Sequence, residues 1–346
     1  MNMATGVIVS KAKSMHGKQL NEEDYNELLH KRSVSEIAGY LKNETQYADA
    51  LKDVRENNIH RGQLESMLRR DGFRQTMKLY RYAESSYKDY YQLHMQQIEM
   101  DLILQRIRVL ISEEYEDAIA ELPIFLKGYT SFDLLRLGNV HTYDELLDVL
   151  KKTMYYNVLL PYRVAKGKEG EIAYTACETA LNKWYYGHVF DVIDHVMKGK
   201  TKKEVREFFS VDVELSNLTK IYRFKRYFHE REDIIRDSLF PVYDHISASQ
   251  VEELLAEPTT KGFLKKLENC WYHLKTDDSK HLYIEWYMDK YRYKRARKNI
   301  YYSQSAPLVF SSYLYLQKLE LDNIINIIEG VRYQVDSEDI AKMLIY

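Results

Sequence analysis

Cysteine and proline are scarce in this chain, with 2 and 5 copies among 346 residues, and glycine reaches only 13. An all-β protein needs a turn roughly every 8 to 12 residues, so too few turn formers remain and helix is the expected state. Two thiols, Cys177 and Cys270, cannot supply a disulfide framework in a chain of this size and fit a reducing compartment. Met1 to His16 lacks the signal-peptide order of charges, apolar run and small residues. Long apolar runs are missing as well. The best, Ala306 to Leu316, is about half of the roughly 20 residues a membrane span requires and is broken by Ser311 and Ser312. Nor does one sign of charge dominate, because 50 Lys plus Arg face 52 Asp plus Glu for a net charge of −2. A pI near 6.6 gives no global field to hold nucleic acid or anionic lipid, so any basic site is local. With 45% hydrophobic residues the chain can fill a core, which excludes disorder. A soluble helical protein of two or three domains is expected.

What is present is a repeat. Tyr25-Asn26-Glu27-Leu28-Leu29 recurs as Tyr143-Asp144-Glu145-Leu146-Leu147 and as Val251-Glu252-Glu253-Leu254-Leu255. A second marker runs from Glu65 through Leu68 to Arg70, then Glu178 through Leu181 to Lys183, then Glu285 through Met288 to Lys290. The third and most detailed is Glu214-Leu215-Ser216-Asn217-Leu218 with Ile221, matched by Glu320-Leu321-Asp322-Asn323-Ile324 with Ile327 and, in degraded form, by Glu99-Met100-Asp101-Leu102-Ile103. The markers keep one order and recur every 106 to 118 residues. Common solenoid repeats run about 20 to 50 residues, so a unit this long is domain-sized. Three similar helical domains are expected, at 1–115, 116–228 and 229–346, related by a pseudo-threefold axis.

The apolar spacing places these markers on helices. Leu321, Ile324, Ile328 and Val331 line one stripe, and Gly330 stands where that helix could stop. Leu181, Trp184, Tyr185 and His188 share another face. His60 to Glu114 contains no proline and only Gly62 and Gly72, which predicts one or two long helices. Each unit therefore reads as two or three short helices followed by two long ones. Breaks are expected near Ser112 to Pro123 and Tyr227 to Arg231, with loops at Lys166 to Gly170, Lys198 to Lys202, Glu257 to Lys261 and Lys275 to Lys280.

Catalytic chemistry is poorly represented. Gly199-Lys200-Thr201 resembles the end of a phosphate-binding loop, but the loop's first glycine position holds Asp194, an anion where phosphate would sit. His188, Asp191 and His195 share a helix face that could offer a metal two imidazoles and a carboxylate. Apolar neighbours and the lack of further ligands in sequence favour a satisfied polar face. There is no nucleophile elbow and no Cys with a signature His. No catalytic, cofactor or metal residue is assigned. The sharpest local feature is Lys290 to Lys298, six bases in nine residues interleaved with Tyr291 and Tyr293. Arg223, Lys225 and Arg226 form a second basic stretch. Bases with aromatic partners suit single-stranded nucleic acid, and the alternatives are an acidic protein partner or a solvated face. Candidate partner-binding residues are Arg223, Lys225, Arg226, Lys290, Arg292, Lys294, Arg295 and Arg297.

Glu214 to Leu218 running into Arg223 and Lys225, the segment Tyr315 to Leu344 with Glu320, Asn323, Gly330, Tyr333 and Ile340, and the opening Ser10 to Leu51 with Tyr25 to Leu29 and Tyr47 together resemble the C-subunit family of V/A-type rotary ATPases, the counterpart of the d subunit in the eukaryotic vacuolar pump. One departure is visible, since Gln317-Lys318-Leu319 precedes Glu320 where the family usually carries Lys-Glu, and this puts the role of that acid in question. The resemblance implies an all-α funnel of three alike domains that is noncatalytic and carries no cofactor. It implies a central-stalk rotor subunit at the cytoplasmic face of the membrane, peripheral to it. Its partners would be the D- and F-type stalk subunits and the proteolipid ring, with membrane contact only through the ring and no nucleic acid, and its role would be to couple the shaft to ion transport.

Overall fold

The computed structural model describes residues 3–55, 59–83, 85–112, 122–163, 172–275 and 283–346, and among them there are helices and no strands. The all-α expectation therefore holds. Most of the expected break at Ser112 to Pro123, the expected loop at Lys166 to Gly170 and nearly all of that at Lys275 to Lys280 lie outside the described residues.

Five helices open the chain: α1 (Met3–His16), α2 (Glu22–Leu29), α3 (Val34–Glu44), α4 (Ala48–Leu51) and α5 (Arg61–Tyr80). Five more follow, α6 (Lys88–Ser112), α7 (Leu134–Gly138), α8 (Tyr143–Leu150), α9 (Tyr155–Leu159) and α10 (Tyr174–Val196). The remainder comprises α11 (Gly199–Arg223), α12 (Glu232–Ser238), α13 (Ala248–Leu255), α14 (Thr260–Asn269), α15 (Ile284–Tyr302), α16 (Ala306–Arg332) and α17 (Ser337–Met343). The short-then-long rhythm read from the sequence is thus present.

The Glu-Leu-Leu markers fall on α2, α8 and α13, and each begins with a polar cap. Asn21 accepts from the amides of Glu23 and Asp24, Thr142 from that of Glu145, and Ser247 from that of Gln250. These side chains satisfy amides that a helix start otherwise leaves without partners. Behind the caps, Leu28, Leu29, Leu146, Leu147, Leu254 and Leu255 are all buried, each contributing about 1.5–3 kcal/mol of apolar burial. The marker is a capped start that delivers two leucines to a core.

The chain groups into two compact units, one of residues 1–84 with 198–346 and one of residues 85–197. In the larger, α16 packs against α1, α5 and α15, and α11 packs against α15. Buried cores lie around Leu28, Leu41, Leu64 and Ile324 and around Leu215, Leu254, Phe263 and Met288. In the smaller, α6 packs along α10. Cys177 and Cys270 are free and buried.

Gly330 differs from its expected role. Helix α16 runs past it to Arg332, and the stop is made at Gln334, which takes a left-handed φ of 55° while the Val335 amide bonds back to the Gly330 carbonyl at 2.9 Å. Glycine is needed at 330 for a different reason, because a Cβ there would stand 2.4 Å from Ile340 Cδ1 on α17. The break expected at Tyr227 to Arg231 is made by a π-helical turn over Phe224–Phe228, closed by His229 at a φ of 51°.

Candidate functional site

The third marker places three glutamates at one repeat position, and all three are buried: Glu99 on α6, Glu214 on α11 and Glu320 on α16. A carboxylate taken out of water must be surrounded by donors, and each of these is. Glu320 Oε1 accepts from Tyr47 Oη at 2.6 Å and from Gln46 Nε2 at 2.8 Å, while Oε2 accepts from the Leu20 amide at 2.8 Å. Glu214 Oε1 accepts from the amides of His245 at 2.9 Å and Ile246 at 3.4 Å. Its Oε2 accepts from Tyr272 Oη and stands 3.0 Å from His245 Nδ1. Glu99 accepts from Tyr155 Oη at 2.7 Å and from the Ser131 amide.

The pattern is common to all three: a long helix supplies a buried carboxylate, and the short-helix region of the next repeat supplies one tyrosine hydroxyl and one or more backbone amides. Glu99 binds residues of the second repeat and Glu214 residues of the third. Glu320, near the C-terminal end, returns to the first repeat, 273 residues from Tyr47 and 300 from Leu20. These glutamates are therefore latches between consecutive repeats. Glu320, despite the departure ahead of it, has both carboxylate oxygens occupied. Of that departing triplet, Gln317 accepts from Thr76 Oγ1 and donates to Tyr313 Oη.

Three residues after two of the glutamates, an asparagine makes a second tie. Asn217 donates to the Phe240 carbonyl at 2.8 Å and accepts from the Phe240 amide at 3.1 Å. Asn323 does the same with Ile345, at 2.8 and 3.1 Å. A primary amide matches a backbone peptide unit donor for acceptor, which explains the residue type. The corresponding position after Glu99 is Leu102, and on α6 Arg106 reaches the Val140 carbonyl instead.

Burial pushes the Glu320 carboxyl up to about 7, against the opposing hydrogen bonds from Tyr47, Leu20 and Gln46. Burial also holds the Tyr47 and Tyr272 hydroxyls far above their usual range, each helped by its glutamate, so both stay protonated donors. A small cavity adjoins Glu320, lined among others by Gln19, Gln75, Asp71, Leu68 and Tyr313.

The sequence-derived basic residues are largely engaged within the protein. Arg292 bonds Asp289 at 2.9 Å and Ser216 at 2.9 Å, with the Asp212 carboxylate at 2.7 Å, and Arg295 pairs with Glu207 at 2.9 Å. Lys225 donates to the Leu255 and Glu257 carbonyls at the end of α13, and burial lowers its pKa. Lys290 donates to the Tyr346 carbonyl at 3.4 Å, and its pKa is lowered by burial too. Arg223 stands 3.6 Å from Glu285, and Arg226 lies over the rings of Tyr222 and Tyr227. Arg297 lies over Tyr293 and Tyr301 but is exposed, as is Lys294. The eight are not one continuous stripe.

The imidazole face does not converge. His188 stacks on Trp184, and His195 bonds the backbone carbonyl of Asp191. Among the described residues no group of three His, Cys, Asp or Glu side chains is placed to hold a metal ion. Gly199 opens α11 with a φ of 58°, and Lys200 pairs with Glu204. No helix among the described residues is long and apolar enough to cross a membrane.

Sequence reasoning missed the latch tyrosines, although a signal existed. Tyr47, Tyr155 and Tyr272 recur at 108 and 117 residues, in step with the other markers, and Leu20, Ser131 and His245 follow at 111 and 114.

Comparison with known proteins bears on the same residues. The family model of the ATP synthase (C/AC39) subunit matches residues 8–343, which takes in all three latches. The C subunit of the A-type ATP synthase of Archaeoglobus fulgidus is 21% identical over 346 residues, covering 99% of this chain and 96% of the relative. That of Methanosarcina acetivorans is 23% identical over 264 residues, 76% of this chain and 69% of the relative. That of Methanococcoides burtonii is 24% identical over 242 residues, 67% of this chain, and the match spans 63% of that relative's length. With a family match across nearly its whole length, this chain belongs to the ATP synthase (C/AC39) subunit family.

Proposed function

We propose that the chain is a noncatalytic rotor subunit of a V/A-type ATPase or ATP synthase, joining the central stalk to the membrane proteolipid ring at its cytoplasmic face. The three alike domains at 1–115, 116–228 and 229–346, set around a pseudo-threefold axis as a funnel, are part of that proposal. The observation that carries it is the set of three buried glutamate latches. A part that transmits torque has no reacting atom to stabilise, and must keep its helices from shearing under load. Latches tying each long helix to the short helices of the next repeat supply that resistance, because separating them would leave a buried carboxylate and its donors without partners.

Proton or sodium transport, and the direction of ATP turnover, belong to other subunits of such a complex. The reading is tested by reconstitution. Purified chain mixed with central-stalk subunits and detergent-solubilised ring is expected to join them into one particle, and its omission is expected to leave ATP hydrolysis uncoupled from ion transport. Coupled transport in its absence would contradict the reading.

A further inference from the structure

Two stretches of the sequence are free of acid. Residues 1–21 hold no Asp or Glu, and residues 290–319 hold none against seven Lys and Arg. The fold brings these stretches together. Helix α1 packs on α15 and α16, Lys13 Nζ donates to the Tyr301 carbonyl at 3.2 Å, and the His16 and Tyr301 rings meet at 5.8 Å. A third basic segment reaches the same end of this unit. Helices α11 and α15 are antiparallel, with Arg223 opposite Glu285, Asp212 opposite Arg292 and Glu207 opposite Arg295. The same register sets the start of α11, with Lys198, Lys200 and Lys203, level with Tyr302. The acids of that segment are Glu204 and Glu207, and they face Lys200 and Arg295.

At the tip, between α15 and α16, Tyr301 is 56% exposed and Tyr302 79% exposed, flanked by exposed Lys294, Arg297 and Lys298. Exposed tyrosine beside lysine and arginine is the composition of a membrane-water interface, where the ring sits among headgroups and the cations meet phosphate. We propose that this end, formed by α1, the α15/α16 tip and the start of α11, docks on an anionic phospholipid surface.

Charge and form favour that occupant. The guanidinium forks that would grip single phosphates or bases, Arg292 and Arg295, are committed to Asp212, Asp289 and Glu207, and Arg297 is stacked on tyrosines. The exposed remainder is mostly lysine spread over α15 and the start of α11, suited to a diffuse negative layer and not to one discrete anion. The cavity beside Glu320 plays no part. The inference goes beyond the coupling role and concerns the isolated chain, so it stands or falls separately.

The test is vesicle flotation of the purified full chain. Protein is expected to rise with vesicles of phosphatidylcholine containing a quarter phosphatidylglycerol, to stay behind with phosphatidylcholine alone, and to be released by high salt. Each base removed should weaken partition about fivefold, so Lys294→Gln, Arg297→Gln and Lys298→Gln combined should lower it on the order of 100-fold. Tyr301→Ser with Tyr302→Ser should weaken it at constant charge. Loss of two charges elsewhere, through Arg231→Gln and Lys342→Gln, should leave most binding intact, whereas two bases lost from the tip would weaken it about 25-fold. Equal binding to both vesicle types, or an equal loss from the control pair, overturns the proposal. So does tighter binding to a single-stranded oligonucleotide or to polyglutamate than to the anionic vesicles, which would assign the surface to a polyanion.

Discussion

Glu214 and Glu320 stand at the same position of the repeat, both are buried, and both hold a tyrosine hydroxyl and a backbone amide, yet they are dressed differently. Glu214 faces an imidazole, His245, whose other nitrogen lies 3.9 Å from Glu207. Among the described residues Glu320 is met by neutral donors, with Tyr47, Gln46 and the Leu20 amide as its partners. Geometry alone can satisfy a buried carboxylate's hydrogen bonds without relieving the cost of its charge. The carboxyl of Glu320 is accordingly pushed up to about 7. One repeat position thus yields one latch that touches an imidazole and one, met by neutral donors, that titrates near neutrality.

The largest effect expected from breaking this comparison is removal of a latch. Glu320→Ala and Glu214→Ala each orphan a buried tyrosine hydroxyl and at least one amide, at about 1–3 kcal/mol per group, so each should cost about 3–5 kcal/mol in urea unfolding. A loss below about 1 kcal/mol in both would mean that these contacts are incidental.

Next comes pH. The folded pKa of Glu320 lies above its ordinary value of 4.5, so the folded state binds the extra proton. Its favourable contribution is complete below about 4.5 and is lost as pH rises through about 7, a change of about 3 kcal/mol. Urea titrations at pH 5 and pH 8 should show that loss in the wild type, and Glu320→Gln should flatten it.

A smaller effect distinguishes the asparagine ties. Asn217→Leu and Asn323→Leu should each cost about 2 kcal/mol, because a buried peptide unit loses both partners. Leu102, which already occupies the equivalent position, shows that the smaller unit does without that tie. The least effect belongs to the exposed pair Arg236 and Glu252, 2.6 Å apart. Arg236→Gln should leave the urea midpoint unchanged, since such pairs are screened by water.

Much of this was legible in the sequence. The helical class followed from missing turn formers, and the markers gave the repeat because capped leucine pairs and glutamate-asparagine positions have local signatures. What stayed hidden is long-range. Nothing near Glu320 in sequence indicates that its partners are Leu20 and Tyr47, and a carboxylate that pins the following repeat looks the same as one that faces solvent. The basic run at Lys290 to Lys298 misleads for the same reason. Its acids, Asp212 and Glu207, lie about 80 to 90 residues earlier on α11, so the sequence shows the charge and not its neutralisation. Tyr301 and Tyr302, just past that run, became visible as exposed only in the fold.

The most direct test of the latches is native-state hydrogen exchange read at two amides, Leu20 and His245. In Glu320→Ala the Leu20 amide should lose protection while His245 keeps it, and in Glu214→Ala the pattern should reverse. Equal protection at Leu20 in the wild type and Glu320→Ala would contradict the claim that a glutamate near one end of the chain holds the repeat at the other.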